Sequence, residues 1–226
     1  LTARQPLSAL SNPPKATTSV ASWYFQTGGL RRRLALLART ADVLSALHGK
    51  GLVYSDPSPH NIFVSEASDA TEVRFIDSDN IPYVSSAGLP TVFTPGYGAP
   101  ELIRGTSGVN SLTDAHAFAV LTFQTLSLVH PLIGDAVANG PPEREEEAFA
   151  GAMPWVDDPG NGSNRCSIGI PRSVTLSARL AEISQRAFGA GLAEPLQRPG
   201  VSEWAESLHA AADATADAAA GAADAA

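Results

Sequence analysis

The feature that most restricts the fold of this chain is a long amphipathic repeat near its start. Apolar residues recur at every third or fourth position between 30 and 48. They are Leu30, Leu34, Leu37, Ala41 and Leu44, with His48 next in the series. This spacing places one apolar stripe along an α-helix, and the glycines at 49 and 51 are typical of a helix end. The repeat therefore predicts a helix over 30–48 that packs one face against a core.

The flanking segments predict a small β structure and two loops. Two short runs of β-prone residues, 62–64 and 73–76, are separated by polar turn formers, which is typical of a β-hairpin. Residues 77–101 are rich in proline and glycine and predict a long ordered loop of the kind that often carries function. Residues 1–22 have little periodicity, so we expect a loop or an edge there.

The second half of the chain is predicted to be helical. Apolar residues dominate from Asp114 to about Val129, which predicts a central helix capped by Asp114. An acidic run from Glu143 predicts an exposed helix, because carboxylates favour the first helical turn. Two further helices are predicted at 173–188 and 202–212.

The composition narrows the class of protein. Hydrophobic residues make up 44% of the 226 residues, enough for a packed core, and no apolar run reaches the roughly 18 residues that a membrane span needs. The net charge of −8 argues against binding to nucleic acid. The single cysteine, Cys166, excludes an internal disulfide and fits a reducing compartment. With 13 Arg against 2 Lys and abundant Ala, we expect a bacterial cytoplasmic protein.

Three oxygen-bearing side chains form the strongest candidate for a chemical site. Asp56 and Asn61 lie five residues apart on a loop stiffened by two prolines, and Asp77 directly follows the second β run. Carboxylate and amide oxygens suit a hard divalent cation and a proton acceptor. Phosphoryl transfer from a nucleotide needs Mg²⁺ to neutralise the phosphates and a base that orients the attacking hydroxyl. Each residue alone is an ordinary turn former, so the prediction depends on their joint spacing.

The order of these residues resembles the protein kinase family. Asp56 and Asn61 match the catalytic-loop pattern His-Arg-Asp-x-x-x-x-Asn, with Tyr and Ser in place of His and Arg. Residues 77–79, Asp-Ser-Asp, take the place of Asp-Phe-Gly, and residues 99–101 match Ala-Pro-Glu in full. The resemblance covers about 30–208 and implies an α+β fold that is predominantly α-helical. This fold is the C-terminal lobe of a protein kinase-like protein, with short β hairpins at the nucleotide face.

The resemblance implies an activity and a ligand for the site. The reaction is transfer of the γ-phosphoryl group of ATP to a Ser or Thr hydroxyl of a protein. Asp56 is the catalytic base or orienter, and Asn61 and Asp77 bind Mg²⁺ and the nucleotide. Phe63 and Ile76 are expected to line the floor of the nucleotide pocket.

The resemblance also assigns residues outside the metal site. Thr94, in the stretch Thr-Pro-Gly-Tyr, corresponds to the segment that receives the substrate in Ser/Thr kinases. Asp114 corresponds to the acid that supports the catalytic loop from the central helix. Arg198 corresponds to the late Arg that pairs with the motif Glu, here Glu101. This pair is expected to be structural and buried.

Several positions depart from the kinase pattern. Ser58 stands where Ser/Thr kinases carry a Lys that steadies the transferred phosphate, so we expect weak catalysis. Ser55 replaces the Arg that grips an activation-loop phosphate, so we expect no switching by phosphorylation of residues 80–95. Ser78 and Asp79 replace Phe and Gly. The resulting Asp-x-Asp motif is similar to that of a bacterial kinase subgroup often encoded beside von Willebrand type A and phosphatase proteins, which the resemblance implies as partners.

The part of the kinase pattern that covers the phosphates is missing. Residues 1–55 contain no Gly-x-Gly-x-x-Gly loop, and the chain begins at Leu1, so we expect a fragment. A loop or edge segment that follows a missing N-terminal lobe is expected at 1–29. The kinase-like C-terminal lobe is expected at 30–209, and an Ala-rich helical extension or linker at 210–226.

Two other functions stay open. A pseudokinase or regulatory scaffold would keep the fold for partner recognition without turnover, as the departures at 55, 58 and 79 favour. The retention of all three oxygen ligands favours activity. Small-molecule phosphotransferases of the aminoglycoside and choline type share the Asp-x-x-x-x-Asn loop but generally lack the segments 94–97 and 99–101. Both segments are complete here, which favours a protein kinase.

The remaining polar residues have structural interpretations. His48 is expected to pack against, or to cap, the end of the first helix. His116, on an apolar helix, is expected to be a core histidine with satisfied hydrogen bonds. The arginine run 31–33 is expected to be a solvated helix start, and Gly28 a turn before that helix.

Overall fold

The structure, a computed structural model, describes residues 3–77 and 93–224, with side chains up to residue 218. Helices predominate in the described residues, as expected for an α+β fold that is mostly α. The first half contains β1 (Arg4–Pro6), α1 (Ser8–Ser11), α2 (Val20–Gln26), α3 (Gly29–His48), β2 (Ile62–Ser65) and β3 (Val73–Phe75). The second half contains α4 (Pro100–Ile103), α5 (Ser111–Ser127), α6 (Asp135–Ala138), α7 (Glu143–Phe149), α8 (Arg172–Thr175), α9 (Ala178–Phe188), α10 (Ala190–Ala193) and α11 (Val201–Asp224).

The sheet has the strand order β1-β2-β3, and each neighbouring pair is antiparallel. β2 and β3 form the predicted hairpin, in which Ile62 pairs with Phe75. Successive residues of a strand face opposite sides of a sheet. Ile62 and Val64 are fully buried against the core, whereas Phe63 faces the other side and is half-buried. The sheet therefore presents Phe63 on its outer face, together with Asn61.

Helix α3 agrees with the predicted helix 30–48 to within one residue. Its apolar stripe is buried, and it packs along α11 and against α5. Gly28 forms the predicted turn before the helix, with a φ of +96°. A Cβ atom at this position would lie 2.5 Å from the carbonyl oxygen of Ser68, so only glycine fits there.

Helix α5 forms the centre of the core, as its nearly continuous apolar pattern predicts. Phe118 packs edge-on against Trp204 of α11, with ring centroids 6.3 Å apart. Phe123 packs in the same way against Phe188 of α9, at 5.8 Å. All four rings are buried, and burial of each such side chain contributes about 1.5–3 kcal/mol. These contacts join α5, α9 and α11 into one core.

The prediction of a loop or edge over residues 1–22 is wrong for much of that segment. β1 does add an edge strand to the sheet, but α1 and the start of α2 are helical, and Leu7 and Leu10 are fully buried. The carbonyl of Leu10 accepts a 2.9 Å hydrogen bond from Nη2 of Arg33. Elements of three to seven residues are too short to show a repeating pattern of apolar residues. Tertiary contacts therefore decide their conformation.

The arginine run at the start of α3 is not a solvated face. Arg31 is exposed, but Arg32 and Arg33 are buried. The guanidinium of Arg33 donates to the carbonyls of Leu10 and Tyr24 and lies 3.8 Å from the centroid of the Tyr24 ring. Burial lowers the pKa of Arg33 to about 10. Carbonyl oxygens and an aromatic face replace water around this charge.

Helix α5 is capped by Asn110 and not by Asp114. The Asn110 side chain accepts hydrogen bonds from the N–H groups of Leu112 and Thr113, at 2.8 and 3.2 Å. The Thr113 hydroxyl accepts in return from the Asn110 N–H at 2.9 Å, which completes a capping box. Asp114 lies in the first turn and is fully buried, so it is free to support another segment.

Two helices near the end of the chain differ in length from their predictions. The segment 173–188 is divided into α8 and α9, because Ser177 caps a new helix by accepting from the N–H of Leu180 at 3.2 Å. The helix predicted at 202–212 continues to Asp224, so the Ala-rich segment extends it. Neither α11 nor any other helix of the described residues is long and apolar enough to cross a bilayer.

His116 is a core residue, but its hydrogen bonds are not satisfied. The residue is 1% exposed, and neither ring nitrogen has a hydrogen-bond partner among the described residues. Its ring packs edge-on against Phe188 at 6.4 Å. Burial holds the pKa of His116 well below its usual value, and the nearby Arg198 and His130 act in the same direction. The imidazole is therefore neutral and unpartnered within the core.

Candidate functional site

Asp56 lies on the loop between α3 and β2, where three hydrogen bonds hold its carboxylate. One oxygen accepts from Nδ2 of Asn61 at 2.9 Å and from the hydroxyl of Thr94 at 2.7 Å. The other oxygen accepts from the backbone N–H of Thr94 at 2.9 Å. The structure thus brings the predicted base and the predicted substrate segment into direct contact.

Asn61 is held by its amide nitrogen, which leaves its amide oxygen available. Nδ2 donates to the Asp56 carboxylate and also to the Asp56 carbonyl, at 2.9 and 3.1 Å. Among the described residues, no donor is hydrogen-bonded to Oδ1. An amide whose NH₂ group is anchored in this way presents its oxygen as a fixed ligand.

Asp77 lies next to Asn61 because of the strand register. The N–H of Ile76 donates to the carbonyl of Asn61 at 3.0 Å, so Ile76 and Asn61 are paired across the hairpin. Asp77 is the residue that follows Ile76. Asp77 is exposed and has a φ of +56°, in the left-handed region that non-glycine residues seldom adopt. Strained backbone of this kind is concentrated at functional sites.

Tyr54 connects the two loops that carry these oxygen ligands. Its hydroxyl donates to the carbonyl of Ile76 in a short hydrogen bond and lies 3.4 Å from the carbonyl of Asn61. Its ring packs edge-on against Phe75, with centroids 4.9 Å apart. Burial raises the pKa of Tyr54, as does the nearby carboxylate of Asp56, so the hydroxyl stays protonated as a donor. The only sequence signal for this role is that Tyr54 occupies the His position of the catalytic-loop pattern.

Asp114, on the central helix, supports the loop that carries Asp56. One carboxylate oxygen accepts from the N–H of Tyr54 at 2.8 Å, and the other from the N–H of Ser55 at 2.9 Å. Nε2 of His48 lies 3.0 Å from the same carboxylate, so His48 contacts Asp114 and does not cap α3. These contacts hold Ser55 at a φ of +78°. Asp114 therefore fixes the backbone that precedes Asp56.

Phe63 and Ile76 lie on the same face of the sheet as Asn61. Ile76 is opposite Asn61 in the register, and Phe63 is two residues along the strand from Asn61. Phe63 is half-buried, and 38% of Ile76 is exposed. The outer face of the hairpin is therefore apolar next to Asn61. An apolar face of this kind suits the packing of a flat ring.

Glu101 and Arg198 form a buried bidentate ion pair. The two guanidinium nitrogens of Arg198 donate to the two carboxylate oxygens of Glu101 at 2.6 and 2.7 Å. The side chains are 6% and 1% exposed. Nε of Arg198 also donates to the carbonyl of Gly191 at 2.7 Å. The pair joins α4 to the segment before α11, which lies 97 residues away along the chain.

Ser55 and Ser58, two of the residues that depart from the kinase pattern, lie on either side of Asp56. Ser58 is fully buried, and its hydroxyl has no hydrogen-bond partner among the described residues. The Ser55 hydroxyl is also buried without such a partner. Both side chains are neutral, so neither supplies the positive charge that the kinase pattern places at these positions. The predictions for Ser78 and Asp79, and those for residues 80–92, lie outside the described residues.

Asn61 and Asp77 carry oxygen donors of the type that Mg²⁺ prefers. Within residues 3–77 and 93–218, no cluster of three or more His, Cys, Asp or Glu side chains forms a metal cage. Mg²⁺ does not require such a cage, because it is usually bound by one or two carboxylates together with substrate phosphates. The free Oδ1 of Asn61 and the exposed carboxylate of Asp77 provide a donor set of this type.

Comparison with known proteins identifies similar sequences. No protein-family model matches the chain. It is 33% identical over 116 residues to "Serine/threonine-protein kinase pkn2" of Myxococcus xanthus, which is 48% of this chain and 14% of the relative. It is 33% identical over 129 residues to Pkn1 of the same organism, 54% of this chain and 16% of the relative. It is 35% identical over 96 residues to PknG of Mycobacterium leprae, 42% of this chain and 12% of the relative.

The chain is protein kinase-like. Each of the three relatives is named as a Ser/Thr protein kinase, and the predominantly helical fold with a small antiparallel sheet is consistent with a kinase-like lobe. The kinase-like chain spans only 12 to 16% of the length of these relatives. This match is too short to transfer the activity or the substrates of these relatives to the chain.

Proposed function

We propose that this kinase-like lobe, within the protein to which it belongs, transfers the γ-phosphoryl group of ATP to a Ser or Thr hydroxyl of a protein. The observation that carries the proposal is the hydrogen bond between the Thr94 hydroxyl and the Asp56 carboxylate. The 2.7 Å distance is within the hydrogen-bond reach that a general base needs for a hydroxyl. Asp56 would orient the acceptor hydroxyl and take its proton.

Asn61 and Asp77 would hold Mg²⁺ through their free oxygen atoms. The ion, when bound, supplies positive charge that neutralises the phosphates of the nucleotide. Asn61 also hydrogen-bonds to Asp56, so the metal ligand and the base keep a fixed distance. This coupling positions the acceptor relative to the phosphate, which is the main protein contribution to phosphoryl transfer.

The nucleotide base would lie on the outer face of the hairpin. Phe63 and Ile76 provide an apolar surface there, and Asn61 marks the end at which the phosphates would lie. This arrangement gives the nucleotide one orientation, with the base over Phe63 and the phosphates toward Asp77. The expected partners are thus a nucleotide and a protein substrate.

A regulatory scaffold without turnover is the second candidate function. The observation that favours it is Ser58, whose buried neutral hydroxyl stands where a lysine charge steadies the phosphate in Ser/Thr kinases. A missing charge of this kind weakens stabilisation of the transition state. Such a scaffold would bind a regulatory partner, with von Willebrand type A or phosphatase proteins as candidates. A small-molecule phosphotransferase is the third candidate, but Thr94 belongs to a segment that those enzymes generally lack.

Phosphate transfer by the full-length protein tests the three functions. The protein is incubated with Mg²⁺-ATP and either a Ser/Thr protein substrate or small alcohols, and transferred phosphate is measured. We expect phosphoprotein, and we expect Asp56→Asn and Asp77→Asn to abolish it, while Asp213→Asn on the exposed face of α11 leaves it unchanged. Nucleotide-independent partner binding with no transfer would support the scaffold. Phosphorylation of small alcohols alone would support the third candidate.

A further inference from the structure

A groove of about 510 Å³ lies between α2, the start of α3 and the segment 169–175. Its size is within the range of about 300–1,000 Å³ that is usual for ligand pockets. Among the described residues that line it, none is charged. The large apolar side chains that line it are Val20, Tyr24, Phe25, Leu30, Ile170 and Val174. The groove is therefore an apolar concavity on a chain whose net charge is −8.

The rim of the groove exposes large apolar side chains. Phe25 is 82% exposed, Val174 is 65% exposed and Val20 is 42% exposed. Ile168, which directly precedes the segment 169–175, is 70% exposed. These four residues are half of the large hydrophobic residues that are exposed in the described part of the chain. Single exposed apolar residues are common, but several around one concavity indicate a surface that a partner covers.

Hydrogen bonds hold the walls of the groove in place. The Tyr24 hydroxyl donates to the carbonyl of Leu126 at 3.1 Å, which fixes α2 against the end of α5. The N–H of Ile170 donates to the carbonyl of Ser127 at 2.9 Å. A Cβ atom at Gly169 would lie 2.7 Å from that carbonyl oxygen, so this close approach requires glycine. Walls that are fixed before binding lower its entropic cost.

A buried hydroxyl in the groove lacks a partner. Thr175 lines the groove and is 2% exposed, and its hydroxyl has no hydrogen-bond partner among the described residues. A polar atom of an occupant would remove the free-energy cost of this unpaired group. Peptide backbone carries both donors and acceptors, whereas a hydrocarbon chain carries neither. The groove therefore suits a polypeptide better than a purely apolar ligand.

The charged residues of the two chain segments that form the walls are all basic. Residues 12–33 contain four Lys or Arg, and residues 165–177 contain two Arg. Neither segment contains Asp or Glu. Lys15, Arg31 and Arg165 are exposed, so their charges are available to a partner.

Three carboxylates from other segments lie near these basic residues. Asp157 is bound by Arg172 through two hydrogen bonds, at 2.9 and 3.0 Å. Asp135 accepts from a backbone N–H of the segment 165–177 at 3.2 Å, and Asp69 lines another cavity together with Arg31. With four and two basic residues against three carboxylates, the surroundings keep a positive balance. Acidic side chains of a partner are attracted to such a surface, whereas a second copy would bring the same charge.

We propose that this groove is a docking site for a partner protein. The partner inserts one bulky apolar side chain into the groove and carries Asp or Glu at neighbouring positions of the same segment. The proposal goes beyond phosphoryl transfer and does not depend on it, because the groove shares no residue with the site formed by Asp56, Asn61 and Asp77.

Selection from a displayed library of random twelve-residue peptides tests the proposal on the full-length protein. We expect enriched peptides to combine Trp, Phe or Leu with Asp or Glu within three positions. A fluorescein-labelled copy of an enriched peptide is then titrated with protein, and binding is measured by fluorescence anisotropy. Replacing its apolar residue by Ala, or its acidic residues by Lys, should weaken binding about tenfold. Added salt should also weaken it.

Two protein variants provide the matched comparison. Phe25→Asp changes a rim residue, and Leu196→Asp makes a similar change at a residue that is 87% exposed outside the groove. The first should raise the dissociation constant of the peptide at least about tenfold, and the second should leave it unchanged. Val174→Asp, on the opposite wall, repeats the test if Phe25→Asp fails to fold. Circular dichroism of each variant checks the fold.

The outcomes separate this proposal from the proposed function. Asp56→Asn should abolish phosphate transfer and leave peptide binding intact. Enriched peptides without acidic residues, equal binding by Phe25→Asp, or no enrichment at all would overturn the proposal. Binding to phosphatidylglycerol vesicles that Phe25→Asp abolishes, with no peptide enriched, would assign the surface to a membrane and overturn it. A dimer in sedimentation that Phe25→Asp dissociates would assign the surface to a second copy, with the same consequence.

Discussion

Thr94 and Asp56, 38 residues apart, are joined by two hydrogen bonds: the Thr94 hydroxyl donates to the Asp56 carboxylate at 2.7 Å, and the Thr94 N–H donates at 2.9 Å. Thr94→Val keeps the shape of the side chain and removes the hydroxyl. We expect kcat for a protein substrate to fall by up to about a hundredfold, because Asp56 loses one of the groups that orient it. The free energy of unfolding should fall by only about 0.5–1.5 kcal/mol.

Thr94→Ser is the control, because it keeps the hydroxyl and should retain most of the activity. Phosphate transfer and urea denaturation are measured on the same three proteins. A loss of activity in Thr94→Ser as large as that in Thr94→Val would contradict this role, because the Ser variant keeps the hydroxyl that contacts Asp56.

Asp114 holds the backbone of the loop that carries Asp56, so its charge should matter for stability. Asp114→Asn keeps the volume but removes the carboxylate that accepts from the N–H groups of Tyr54 and Ser55. We expect the free energy of unfolding to fall by about 1.5–3 kcal/mol, since hydrogen bonds to a buried charge are lost. Chemical denaturation of this variant beside Asp213→Asn, an exposed site on α11, checks the value. Equal stability of the two variants would contradict this role for Asp114.

The buried pair between Glu101 and Arg198 should be costly to break. Arg198→Ala leaves the Glu101 carboxylate without a partner in a position that is 6% exposed. We expect unfolding to become easier by about 3–5 kcal/mol, measured by urea denaturation. Arg104→Ala removes an exposed arginine from the same region and should change stability little. A melting temperature unchanged in Arg198→Ala would exclude a structural role for the pair.

Local patterns predicted the elements that bury a continuous face. The stripe of α3 and the apolar run of α5 extend over many residues, so their periods are readable, and the hairpin follows from two short β-prone runs. The close approach of Asp56 and Asn61 was also predictable, because five residues of one Pro-stiffened loop separate them. For Thr94, a motif supplied the expectation, since nothing local places it beside a residue 38 positions away.

Tertiary contacts explain the predictions that were wrong. The charge of Arg33 indicates a solvated face, yet the carbonyls of Leu10 and Tyr24 and the Tyr24 ring surround it. Asp114 is a residue type that often caps helices, but Asn110 takes that position and Asp114 accepts a hydrogen bond from Tyr54 in the loop that carries Asp56. The contacts of Asp114 with Tyr54 and of Arg33 with Leu10 join residues 60 and 23 positions apart, so no short window around Asp114 or Arg33 contains them.

The Tyr54 hydroxyl should affect the metal site more than overall stability. Tyr54→Phe removes the hydrogen bond to the carbonyl of Ile76, which directly precedes Asp77. We expect weaker Mg²⁺-nucleotide binding, because Asp77 is no longer held in register with Asn61. The loss of unfolding free energy should be about 0.5–1.5 kcal/mol.

Tyr24→Phe is the matched control for this prediction. The Tyr24 hydroxyl also donates to a carbonyl, that of Leu126, at 3.1 Å in the core. Both variants should lose similar stability, but only Tyr54→Phe should raise the dissociation constant for Mg²⁺-nucleotide, measured by titration calorimetry. An equal change in nucleotide affinity in the two variants would show that loss of either tyrosine hydroxyl has the same effect. That result would contradict a specific role for Tyr54.

The buried His116 and the half-buried His130 should make the fold sensitive to acid. Burial lowers the pKa of His130 to about 4 and holds that of His116 well below the usual 6.5. Both groups have lower pKa values in the folded state, so the unfolded chain binds more protons below about pH 6.5. The stability due to the neutral imidazoles is therefore fully present above that pH. It is progressively lost as the pH falls toward the folded values.

His116→Leu isolates the contribution of the unpartnered imidazole. This variant removes a titrating group and two buried nitrogen atoms without hydrogen-bond partners among the described residues. We expect the loss of unfolding free energy between about pH 7 and about pH 5 to be smaller than in the unaltered protein, because one proton fewer is taken up on unfolding. His60→Leu changes an exposed histidine and should leave that loss unchanged. Parallel pH profiles for His116→Leu and the unaltered protein would contradict a neutral His116 in the folded state.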